Sequence, residues 1–88
     1  EITMAKFIVC EVAPMQGSRI MMEDMRIVAL NLDSIDVLHQ DIFKVENGDG
    51  SLSERVGMEV FSSKLKGQVD GRLIIMSDYD SFMKEIAK

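Results

Sequence analysis

The chain has 88 residues, with 47% apolar and 28% charged residues and a net charge of −5. That is one domain, 1–88, with a globular rather than a disordered composition. The acidic balance argues against a nucleic-acid backbone or an anionic membrane surface as partner, since both require clustered cations. No apolar stretch is long enough to span a bilayer, and no charged segment leads into a signal-type apolar run. Met4 is a candidate natural start.

Residues 6–12 (Lys-Phe-Ile-Val-Cys-Glu-Val) are β-branched, aromatic and nearly continuous in apolarity, the pattern of a strand buried on both faces. Cys10, the only cysteine, cannot form an internal disulfide. A core thiol in a reducing, cytoplasmic compartment is the expectation. Pro14 ends this strand, and residues 14–25 are read as a helix starting on that proline, with Met21, Met22 and Met25 along one face. Gly17-Ser18 weakens such a helix by about 1 kcal/mol. The rival reading is a turn followed by a short strand from Arg19.

Residues 26–32 form a second strand, and Asp33 or Ser34 caps a helix carrying Ile35, Leu38, Ile42 and Val45 as a stripe. His39 stands on its polar side. Asn47-Gly48-Asp49-Gly50 ends it as a turn between helices. Its likeness to a calcium loop stops at the outer positions, where Val45 and Val56 replace the carboxylates required. Ser51 and Glu54 then make a capping box for a helix over 51–66, closed by Lys64, Lys66 and Gly67. A third strand, 72–76, leads into a final helix from Ser77 with Tyr79, Phe82, Met83 and Ile86 as its apolar face.

The resulting order β-α-β-α-α-β-α predicts an α/β fold, a small, mostly parallel three-stranded sheet with packed helices. If residues 19–22 are a strand, the alternative is α+β with an N-terminal antiparallel hairpin.

In a parallel sheet, chemistry sits beyond the carboxyl ends of the strands, where this chain carries Glu11, Asp33, Asp78 and Asp80. Carboxylates gathered there would hold Mg²⁺. The segment Ile74-Ile75-Met76-Ser77-Asp78-Tyr79-Asp80, with Glu11 after Phe7-Ile8-Val9-Cys10, resembles the acidic motif of the Toprim domain of topoisomerases and primases. That likeness implies Mg²⁺ held by Glu11, Asp78 and Asp80, and phosphoryl transfer or phosphodiester cleavage; Val12 stands where the family has glycine. Residues 28–36, with the helix and strand after them, resemble the STAS regulatory modules. Residues 70–82 resemble the acidic motif of PB1 interaction domains, with Arg72 replacing an acid.

No nucleophile elbow and no glycine-rich phosphate loop is present. The leading functional expectation is therefore a small non-enzymatic protein-interaction or regulatory module without cofactor. It would bind a protein partner, or self-associate, through an adaptable patch of Met15, Met21, Met22 and Met25. The Mg-dependent site is the alternative.

Overall fold

The computed structural model describes residues 6–63 and 72–87. Six strands are present: β1 (Phe7–Gln16), β2 (Arg19–Met21), β3 (Arg26–Asn31), β4 (Val37–Glu46), β5 (Leu52–Phe61) and β6 (Arg72–Ile75). One α-helix follows, α1 (Tyr79–Ile86), and 3-10 turns at Met22–Asp24 and Leu32–Ser34 flank β3. The sheet order is β2-β4-β5-β6-β1-β3, and β2 also pairs with β1. The ring β1-β2-β4-β5-β6 is thereby closed into a five-stranded barrel, with β3 laid outside it along the first half of β1.

This overturns the expected α/β fold. All pairings are antiparallel except β2 with β4, and the α+β alternative fails as well, although β1 and β2 do form a hairpin. The expected helices at 34–46 and 51–66 are strands β4 and β5, and the expected helix at 14–25 is strand, hairpin and 3-10 turn. The likeness to STAS modules loses its helix in the same way. The expected end of the 51–66 helix, with Lys64, Lys66 and Gly67, and the Asp70-Gly71 of the PB1-like segment lie outside the described residues, as does Met4.

Two layers of core explain why the strands form and why they were misread. β1 sends Ile8, Cys10 and Val12 to one face and Ala13 and Met15 to the other, and β6 sends Leu73 and Ile75 one way and Ile74 the other. One core, Ala13, Ile20, Phe43, Val45, Ile74 and Met76, fills the barrel. The other, Ile8, Val12, Leu30, Met58, Ile75 and Phe82, lies between the barrel wall and α1. Strands buried on both faces read as unbroken apolar runs, a pattern shared with parallel sheets. Here it marks antiparallel strands between two cores.

The turns follow from local chemistry. Gly17 (φ 61°) is the only left-handed residue of the two-residue loop between Gln16 and Arg19, the II′ arrangement that suits a right-twisted hairpin. Gly48, Asp49 and Gly50 form the β4–β5 loop between Asn47 and Ser51, closed by Gly50 N–H to Asn47 O (2.9 Å) and Asn47 N–H to Ser51 O (2.8 Å), with Gly50 at φ 87°. That is a type I turn followed by a left-handed residue, so the glycines join two strands and not two helices. Pro14 does not end β1. It pairs with Leu73, and its missing N–H falls in the gap between the last residue paired with β3, Val12, and the first paired with β2, Met15. No ladder bond is lost there.

Candidate interaction face

Beyond the barrel, the first half of β1 and all of β3 form a two-stranded ribbon in the register Phe7–Asn31, Val9–Ala29 and Glu11–Ile27. Its even-numbered residues, Ile8, Cys10, Val28 and Leu30, face the outer core. Alternation sends the odd-numbered ones the other way. The result is an apolar strip in water: Phe7 is 60% exposed, Val9 70% and Ile27 68%, with exposed Ala29 between them. Isolated exposed apolar residues are ordinary, but adjacent cross-strand ones form a patch of the kind that marks an interaction site. Glu11 closes one end of the strip, and its carboxylate lies 3.6 Å from the Arg55 guanidinium of β5. At the other end Lys6 Nζ donates to Ile86 O at 2.5 Å, tying the start of β1 to the last turn of α1, where a cation suits the helix dipole.

The expected methionine patch is dispersed. Met15 and Met25 pack against the barrel core, and the Met25 sulfur accepts a bond from Arg55. Met21 lines a shallow open cleft with Glu23, Glu46, Asn47, Gly48 and Gly50. Met22 alone of the four is exposed. Glu46 in that cleft is bound to Arg19 at 2.7 Å.

The acids behave similarly. Asp78 caps α1, accepting the Ser81 N–H at 3.1 Å, and its bonds from Ser81 hold its carboxyl below the usual range. Asp80 is exposed in the first helical turn, and Asp33 lies in a 3-10 turn. Among the described residues, no three His, Cys, Asp or Glu side chains are placed together to hold a metal ion. Glu11, Asp78 and Asp80 are therefore not gathered as the Toprim likeness implies.

Cys10 is half-buried on the inner face of β1, and burial pushes its thiol pKa up, away from the thiolate form that reacts. His39 is exposed on β4 rather than on a helix. Asp49 serves the hairpin: its carboxylate accepts the Ser51 hydroxyl (2.6 Å) and the Ser51 N–H (2.9 Å), and these bonds lower its pKa. The buried polar group of note is Glu59, held by two bonds from the Arg72 guanidinium at 2.8 and 2.5 Å and kept below the usual carboxylate range by them.

Phe7 and Val9 lie in the run 6–12 expected to be buried on both faces, and the structure instead leaves them, with Ile27 and Ala29, exposed. A usable signal was present all the same. Two-sided apolar strands need cover on both faces, and the one α-helix among the described residues packs over the outer core alone.

Compared with protein-family models, curated proteins and solved structures, the chain gives no match. No helix among the described residues is long and apolar enough to cross a membrane.

Proposed function

We propose that this domain is a non-enzymatic protein-interaction module that docks a partner protein on the outer face of the β1–β3 ribbon. The single observation behind this reading is the strip of Phe7, Val9, Ile27 and Ala29, apolar and in water on adjacent strands. A partner covering it would remove apolar surface at about 25 cal/mol per Å². It would do so on a rigid platform, because the same strands are anchored by their inner residues in the core. The net charge of −5 on the chain favours partners with basic rims and raises their association rate at low salt. A reducing, cytoplasmic setting belongs to this reading, resting on the single cysteine of the chain, which has no internal partner.

The test uses the double variant Val9→Lys/Ile27→Lys. Both positions are exposed, so folding stability should change by no more than about 0.5 kcal/mol per site. Tagged wild-type and variant chains are compared for stoichiometric co-purification from the same cells and for mass by sedimentation. The reading expects a defined partner with the wild type and none with the variant. A wild-type chain that is monomeric and partner-free, or a variant that retains its partner, would refute it; wild-type self-association lost in the variant would put a second copy on the strip.

A further inference from the structure

β3 is an edge strand, and its backbone specifies what can bind there. The bond from Leu32 N–H to Lys6 O (2.9 Å) makes residues 6 and 32 a hydrogen-bonded pair of the β1–β3 ladder. Such pairs alternate in an antiparallel ladder, so 8–30, 10–28 and 12–26 are the others. Arg26, Val28 and Leu30 therefore aim their N–H and C=O groups at β1, while Ile27, Ala29 and Asn31 aim theirs away from it. Among the described residues no strand pairs with that outer edge.

Natural sheets shield such edges with lysines, prolines, bulges or a covering element. Here the strand reads Arg-Ile-Val-Ala-Leu-Asn. Its one charge is drawn aside, since the Arg26 guanidinium donates to the carbonyls of Glu23 (2.7 Å) and Met25 (2.8 Å) next to it in the chain. The edge has no bulge in its register with β1 and no proline.

We infer that β3 receives an extended strand from a partner protein, which adds to the sheet by main-chain hydrogen bonds to Ile27, Ala29 and Asn31. This rests on the interaction-module reading and specifies its mode. The added strand would place alternate apolar side chains beside Ile27 and Ala29, widening the strip of Phe7 and Val9, and main-chain bonds would supply affinity while the alternating side chains supply selectivity. Charge selects the occupant. Glu23 and Asp24 stand in the 3-10 turn that leads into β3 and outnumber the Arg26 guanidinium held against that turn, and the whole chain carries −5. A strand flanked by lysine or arginine is attracted to that end, whereas a second copy brings a second chain of net charge −5.

The probe is a synthetic peptide of alternating valine and threonine flanked by lysine pairs, titrated into the full chain while backbone amide exchange is followed. Protection should rise at Ile27, Ala29 and Asn31 and change little at Val28 and Leu30, whose amides already serve β1. Ala29→Pro removes one outward N–H without touching the β1 ladder and should weaken the peptide at least tenfold. Should that variant misfold, the same peptide N-methylated on its valines tests the edge on the wild-type chain and should bind at least tenfold more weakly. Protection elsewhere, or unchanged affinity with the proline variant or the methylated peptide, overturns the inference. So does concentration-dependent mass without peptide that protects the same amides, which gives the edge to a second copy. If Val9→Lys/Ile27→Lys abolishes partner capture while the edge changes have no effect, the interaction module stands and strand addition falls.

Discussion

Gly57→Ala adds a single methyl group in the middle of β5, and the geometry decides its sign. A Cβ at Gly57 would lie 2.8 Å from Ile74 Cγ2, 3.1 Å from the Ile75 carbonyl oxygen and 3.2 Å from Phe43 Cδ2. In an open strand the change would stabilise by roughly 0.5–1 kcal/mol, because alanine has less backbone entropy to lose. Here none of the neighbours yields easily. The Ile74 methyl sits on a β-branched carbon held to one rotamer, Ile74 itself is fully buried, and Ile75 O belongs to backbone in the β5–β6–β1 wall. Overpacking a close-packed core typically costs about 1–3 kcal/mol. The net expectation is a loss of about 1–2 kcal/mol, or a fall in Tm on the order of 5–15 °C for a domain of this size. Thermal unfolding followed by circular dichroism reads it, with urea titration to confirm that the m-value is unchanged. The clash is specific, so it should be relieved in part by Ile74→Leu, which keeps the volume and removes the Cγ2 branch. A double-mutant cycle should then return a coupling of about 0.5 kcal/mol or more. If Gly57→Ala leaves Tm unchanged or raises it, or if the cycle shows no coupling, the close approach of β5 to β6 is not as described.

Two further outcomes follow from the same geometry. Phe82 is 2% exposed against Ile8, Val12, Leu30, Met58 and Ile75, so Phe82→Ala should cost about 3–5 kcal/mol in urea unfolding, while Met83→Ala, 43% exposed on the same helix, should stay within about 0.5 kcal/mol. Equal losses at the two positions would mean that α1 does not close the outer core. The Glu59 carboxyl lies below its ordinary value of 4.5 because of Arg72, so its contribution is present above that value and is lost as pH falls through the lower, folded one. Glu59→Gln should therefore lower Tm near about pH 7 and narrow the difference in Tm between about pH 7 and about pH 3, and an unaltered pH profile would count against the ion pair.

The first half of β1 (7–12), the strands at 26–31 and 72–75 and the helix at 79–86 stand in segments where the chain itself announces them: β-branched runs, and Ser77-Asp78 ahead of Tyr79, Phe82, Met83 and Ile86, with Asp78 rather than Ser77 as the cap. β4 and β5 did not announce themselves. Along β4, Leu38 is drawn toward the outer core while Phe43 and Val45 turn into the barrel, and Ile42 faces water. A strand that changes its buried face along its length loses the period of two, and Ile35, Leu38, Ile42 and Val45 then imitate a helical stripe. β5 misleads by a different route. Its Ser51 and Glu54 match a helix cap by spacing alone, while Gly57, Met58 and Glu59 are buried in sequence between the two cores.

The proposed interaction face shows the same division. Local sequence determined that residues 7–12 and 26–31 extend as strands, that the chain turns at 47–50, and that Cys10 is a sole, unpaired thiol. Only the tertiary structure decided which sides of those strands meet water. Each strand carries apolar side chains on both faces, and what becomes of a face depends on the elements packed against it, which lie far away in sequence. α1 and β6 cover the inner face of the ribbon, and among the described residues Phe7, Val9 and Ile27 keep more than half of their surface exposed. The methionines went the opposite way, because the closure of β2 against β4 turned Met15 and Met25 from surface candidates into packing for the barrel core.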